Sequence, residues 1–135
     1  MIPLTTPTVS IKSLHLEYKL WIYELNFCKE QLHLFESHLE QLLSIIPGEL
    51  TGQVERFQNQ FICQKEVIDI LRHDLNVSEK QLAAFVKELS GLGLESIKMD
   101  NHGKLRERMF TFRKLFRDLK EDFRAFESEA YLVVH

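Results

Sequence analysis

One spacing pattern limits what this chain can fold into. Ile11, Leu14, Tyr18, Trp21, Leu25, Cys28, Leu32, Phe35, Leu39, Leu42 and Ile46 follow one another at alternating steps of three and four. At 3.6 residues per turn such a run forms a single stripe along an α-helix, and the two-residue period of a strand has no use for it. The spacing returns in Leu50, Val54, Phe57, Phe61, Gln64, Ile68, Leu71, Leu75, Ser78, Leu82, Phe85 and Leu89. It returns again in Leu105, Met109, Phe112, Phe116, Leu119, Phe123, Phe126 and Ala130.

Chain breakers fall between the stripes. Pro47-Gly48 ends the first, and Ser90-Gly91-Leu92-Gly93 reads as a turn after the second. Pro3 and Pro7 lie among threonines, which makes residues 1–9 an extended, mobile arm ahead of a single domain at 10–135. Helices are expected over about 10–46, 49–90 and 100–130, with Ser10 and either Asp100 or Asn101 as N-caps. Asn76-Val77-Ser78 followed by Gln81 resembles a capping box, yet the stripe keeps its register across it, so the second helix is read as continuous. Helices of about 45 to 60 Å joined by short turns give an all-α fold, an antiparallel up-down-up three-helix bundle with coiled-coil-like heptad packing.

Composition narrows the function classes. The chain has 135 residues, 44% hydrophobic and 27% charged, which suits one globular domain with a real core. Its 20 acidic and 17 basic residues leave a net charge of -3, so nothing global draws it to nucleic acid or to an anionic membrane. Residues 1–10 lack the basic start and apolar run of a signal peptide, and no apolar stretch is long enough to span a bilayer. Cys28 and Cys63 form no metal or redox motif, and a cytoplasmic, reduced protein is the expectation.

The titratable residues do not assemble into a recognisable centre. Glu30 and His33 have the E-x-x-H spacing of di-metal helical bundles, but the second E-x-x-H is missing and both point away from the stripe. Asp69 and His73 also fall on an outer face, and the six histidines read as solvent-exposed. Cys28 lies on the core stripe and Cys63 off it; with a turn near residue 48, Cys28 faces residues near 67, too far from Cys63 for a bridge. Gln64 and Ser78 are polar residues on an apolar seam, either buried devices that set register or side chains leaning to the seam edge, and Gln64 is expected level with Cys28. The third helix carries Arg106, Arg108, Arg113, Lys114, Arg117, Lys120 and Arg124. Interleaved Asp118, Glu121 and Asp122 offer Lys114–Asp118 and Arg117–Glu121 pairs, and Glu17 and Glu24 sit a heptad apart on helix 1, so ion pairing is the expected use. No P-loop, dinucleotide fingerprint, nucleophile elbow or zinc pattern occurs.

Helix 1 carries a second apolar set: Leu16, Leu20, Tyr23, Phe27 and Leu34, on the side opposite its main stripe. A helix at the edge of a monomeric bundle needs only one apolar face. The second face predicts a non-enzymatic interaction or scaffolding module that self-associates, as an antiparallel homodimer, or binds a helical partner. The alternative is a metal- or ligand-binding bundle, although no cofactor is called for. The segments Leu16-Glu17-Tyr18-Lys19-Leu20-Trp21-Ile22 and Phe57-Gln58-Asn59-Gln60-Phe61 resemble parts of small all-helical bacterial proteins. That resemblance covers the helical body and implies no activity, ligand or catalytic residue.

Overall fold

The computed structural model describes residues 8–88, 96–98 and 100–134. Three long helices dominate it: α1 (Ile11–Leu43), α2 (Thr51–Glu88) and α3 (Asp100–Val134). The all-α three-helix bundle expected from the stripes is the observed fold. Two short strands, β1 (Thr8–Ser10) and β2 (Ser96–Lys98), pair antiparallel with Val9 opposite Ile97. The last residues of the expected mobile arm are therefore held in a ribbon. Residues 1–7 and the expected turn at 90–93 lie outside the described residues.

Helix boundaries differ from the expected ones by four residues or fewer. α1 ends at Leu43, and the Leu42 carbonyl accepts from both the Ile45 and Ile46 amides at 3.0 Å, which closes the last turn before Pro47. A single 3-10 turn, Gly48–Leu50, precedes α2. α2 passes through residue 77 unbroken, as register continuity predicts. α3 extends to Val134, four residues past the expected end.

Hydrogen bonds and ion pairs between helices define their directions. Asn26 faces Arg72, Lys29 faces Asp69 and Glu36 faces Lys65, so α1 and α2 run antiparallel. Glu17–Arg106 and Glu24–Arg113 are each separated by 89 residues, and His38–Glu127 repeats that offset, so α1 and α3 run parallel. The same pairs correct one expectation. Gln64 lies beside the Glu36–Lys65 pair rather than level with Cys28, whose neighbour Lys29 pairs with Asp69, more than a helical turn further along α2.

The stripes meet in one core. Leu14, Tyr18, Leu25, Leu32, Leu39 and Leu42 of α1 are buried against Phe57, Phe61, Ile68 and Leu75 of α2 and Met109, Phe112, Phe123 and Ala130 of α3. Its centre is aromatic. The Phe123 ring lies 5.1 Å from Phe61, 5.3 Å from Phe35 and 5.4 Å from Phe57, which ties all three helices at one level. Ile11 at one end of the bundle and Ile46 and Leu50 at the other are only partly buried, and Phe85, expected in the seam, is exposed.

A candidate interaction surface on α1

α1 contacts its neighbours along three adjoining strips of its surface. The core stripe is flanked on one side by His15, Lys29 and Glu36, which pair with Glu79 at 3.0 Å, Asp69 at 2.7 Å and Lys65 at 2.8 Å on α2. On the other side Glu17 and Glu24 receive Arg106 and Arg113 of α3, with contacts of 3.0 Å and 2.6 Å. The Arg113 fork donates from Nε and Nη2 to the two Glu24 oxygens, and this hydrogen bond raises the guanidinium's already high pKa. The Lys29 hydrogen bond holds the Asp69 carboxyl below its ordinary range, and Arg108 does the same for Asp74. Arg106, Arg108 and Arg113, three of the seven bases of that α3 segment, are thus spent within the chain. The in-helix pairs Lys114–Asp118 and Arg117–Glu121 expected from spacing do not form among the described residues.

What remains of α1 is its outer face. Leu16 is 57% exposed, Leu20 55%, Tyr23 70%, Phe27 60% and Leu34 54%. No described part of the chain covers them: α2 does not fold back, and Tyr131, Leu132 and Val133 are themselves exposed on α3. The sequence-predicted face is therefore contiguous and open, and both flanks of its helix are clamped by ion pairs.

No family model, curated protein or solved structure matches this chain.

The residues weighed as metal ligands stay apart. Glu30 is exposed, while His33 meets Glu36 at 3.3 Å. Asp69 is engaged by Lys29 and Arg72, and His73 by Asp74. Among the described residues no group of three or more His, Cys, Asp or Glu side chains converges, and no helix is long and apolar enough to cross a membrane. Cys28 and Cys63 are free; burial, helped by nearby Glu24, pushes the Cys28 thiol up to about 11.

One polar cluster escaped the sequence reading. His102 is 5% exposed rather than solvated, because the α3 stripe extends one step back from Leu105 to residue 102. Its ring stacks on Trp21 at 5.7 Å and 12°, and Tyr18 packs against it at 5.7 Å. Its Nε2 lies 3.1 Å from a Glu17 oxygen and 3.1 Å from Arg106 Nη2. That nitrogen either donates to the carboxylate or accepts from the guanidinium, and cannot do both. His102 Nδ1 has no partner. Burial lowers the His102 pKa, Glu17 opposes the shift and Arg106 adds to it.

The two polar seam residues behave differently. Ser78 is buried and faces the Tyr18 hydroxyl, whose pKa is raised by burial and by Glu17 and eased by Ser78. The pair falls short of hydrogen-bonding geometry, which leaves Tyr18 Oη unpartnered. Gln64 is half-buried, with its Oε1 also unpartnered, beside a groove of about 590 Å³ between α2 and α3 walled by Val67, Ile70, Phe112 and Leu115.

Proposed function

We propose that this chain is a non-enzymatic helical interaction module, which associates through the outer face of α1 with a second copy of itself or with another helical protein. The observation that carries the reading is the row Leu16, Leu20, Tyr23, Phe27 and Leu34, all more than half exposed on a helix clamped on both flanks. Single exposed apolar residues are ordinary, whereas a contiguous row of large ones is a contact surface in search of cover. The row rises about 27 Å along the helix, from 18 residue steps at 1.5 Å. At these exposures its five side chains present on the order of 600 Å². A standard interface covers about 800 Å² on each partner, so the row with its flanking stems approaches a full contact patch. A rigid, preformed face also loses little entropy on docking.

Hydroxyl-radical footprinting tests this directly. Tyr23 and Phe27 react fully in dilute isolated protein and become protected in concentrated protein or in extract of the native host. Full labelling under every condition refutes the reading. Leu20→Glu with Phe27→Glu should abolish the protection while leaving the helical circular dichroism signal unchanged.

A further inference from the structure

The charges of α1 sort themselves by use. The helix carries eight lysines and glutamates: Lys12, Glu17, Lys19, Glu24, Lys29, Glu30, Glu36 and Glu40. Glu17, Glu24, Lys29 and Glu36 are paired within the chain. Lys12, Lys19, Glu30 and Glu40 have no ion-pair partner among the described residues. All four are exposed: Glu30 lies within the outer apolar row, and Lys12, Lys19 and Glu40 share the heptad position of Asn26, on the edge of that row towards α2. They are also segregated by sign, with both lysines towards the N-terminus and both glutamates towards the C-terminus.

Glu30 sharpens the point. It occupies the gap in the row between Phe27 and Leu34, so any partner that covers the row also covers Glu30. A covered carboxylate without a cation opposes docking. The partner must therefore bring a positive group to that level and apolar groups on either side of it.

Resting on the reading of this face as a docking surface, we infer that its occupant is a second copy of the chain, laid antiparallel about a two-fold axis level with residue 25. Residues equidistant from that level then meet. Leu16 comes level with Leu34 of the other copy, and Tyr23 with its Phe27. Lys19 and Leu20 come level with Glu30 of the other copy, and Lys12 falls within a turn of its Glu40. Each contact occurs twice, because the interface is isologous. A parallel pairing would bring Lys19 level with Lys19 and Glu30 level with Glu30, so none of the four charges comes level with an opposite charge among them. The same four residues that the fold leaves unpaired thus complete their pairing in one orientation of one partner.

Charge reversal with sedimentation equilibrium over 1–100 µM tests the arrangement. The native chain should dimerise. Lys19→Glu or Glu30→Lys alone turns two attractions into two repulsions and should weaken the dimer about tenfold. The two single variants mixed in equal amounts, or both changes in one chain, should restore native affinity. In a Cys63→Ser background, spin labels at Ser37→Cys should lie about 36 Å apart, since each is 12 residues from the axis at 1.5 Å per residue. A parallel dimer would bring them to about 10 Å. A native chain monomeric at 100 µM overturns the proposal. So does an affinity indifferent to both reversals, or a short label distance. If Leu20→Glu with Phe27→Glu still abolishes association or footprint protection in those cases, the docking face stands and only the antiparallel second copy fails. If Tyr23 and Phe27 remain fully labelled in a dimer, both fail.

Discussion

Phe123 and Phe110 lie on one helix and differ by residue position alone, so truncating each to alanine isolates what the bundle contributes. Phe123 is fully buried, with ring centroids 5.1, 5.3 and 5.4 Å from Phe61, Phe35 and Phe57. Phe110 is 70% exposed. Burial of a Phe side chain and the cavity left by its removal set the loss for Phe→Ala at about 3–5 kcal/mol. Three ring pairs across two other helices, each worth about 0.5–1.5 kcal/mol beyond area, place Phe123→Ala towards the upper end. With a urea dependence of about 2 kcal/mol/M for a chain of this size, the midpoint should fall by about 2 M. Phe110→Ala should stay within about 0.5 kcal/mol of native, a midpoint shift of about 0.25 M. Urea titration followed by circular dichroism reads both. Comparable losses for the two variants, or a Phe123→Ala loss below about 1 kcal/mol, would refute the α3 register and with it the assignment of its inner and outer faces.

Three further outcomes follow from the site. His102 has a folded pKa below its unfolded value of about 6.5, so the stability it contributes is complete above that pH, is lost as pH falls from there through the folded pKa, and is level below it. Denaturation midpoints between pH 8 and 5 should therefore fall in the native chain and fall less in His102→Phe, which keeps the ring against Trp21; equal slopes would show that His102 is not the group. Arg113→Ala removes a half-exposed pair with Glu24 and should cost about 0.2–1 kcal/mol, with the loss shrinking in 1 M salt, as urea titration at two ionic strengths would show. With Cys63 exposed and the Cys28 thiol raised to about 11, a thiol reagent at pH 8 should label one cysteine quickly in the folded chain and two in urea. Two fast labels in the folded state would mean that Cys28 is not in the core.

Much of the site is legible in the sequence. Leu16, Leu20, Tyr23, Phe27 and Leu34 could be assigned to an outer face because heptad position determines the angle a residue makes around its helix. The Glu17–Glu24 ladder with arginines of α3 was foreseen in kind, since acids a heptad apart on one helix call for bases a heptad apart on another, and Arg106 and Arg113 have that spacing. His102 was legible too: it sits three residues before Leu105, and extending the stripe by one step would have placed it in the core. Gln64 was misplaced for a different reason. Its height relative to α1 depends on the axial offset of the two helices, and the Lys29–Asp69 and Glu36–Lys65 pairs set Gln64 at the level of Glu36 rather than of Cys28.

The sequence by itself determined the helices, their apolar seams and the existence of a second face on α1, because periodicity is a local property that every turn of helix repeats. Only the tertiary structure decided which charges are spent and which are left over. That choice depends on the axial offset between helices, which periodicity does not encode, and a shift of one turn would have given Glu17 and Glu24 different partners. The offset of 89 residues between α1 and α3 consumes Glu17 and Glu24 at their Arg partners. It leaves Lys12, Lys19, Glu30 and Glu40 beside the open apolar row, and those leftovers give the α1 face an orientation.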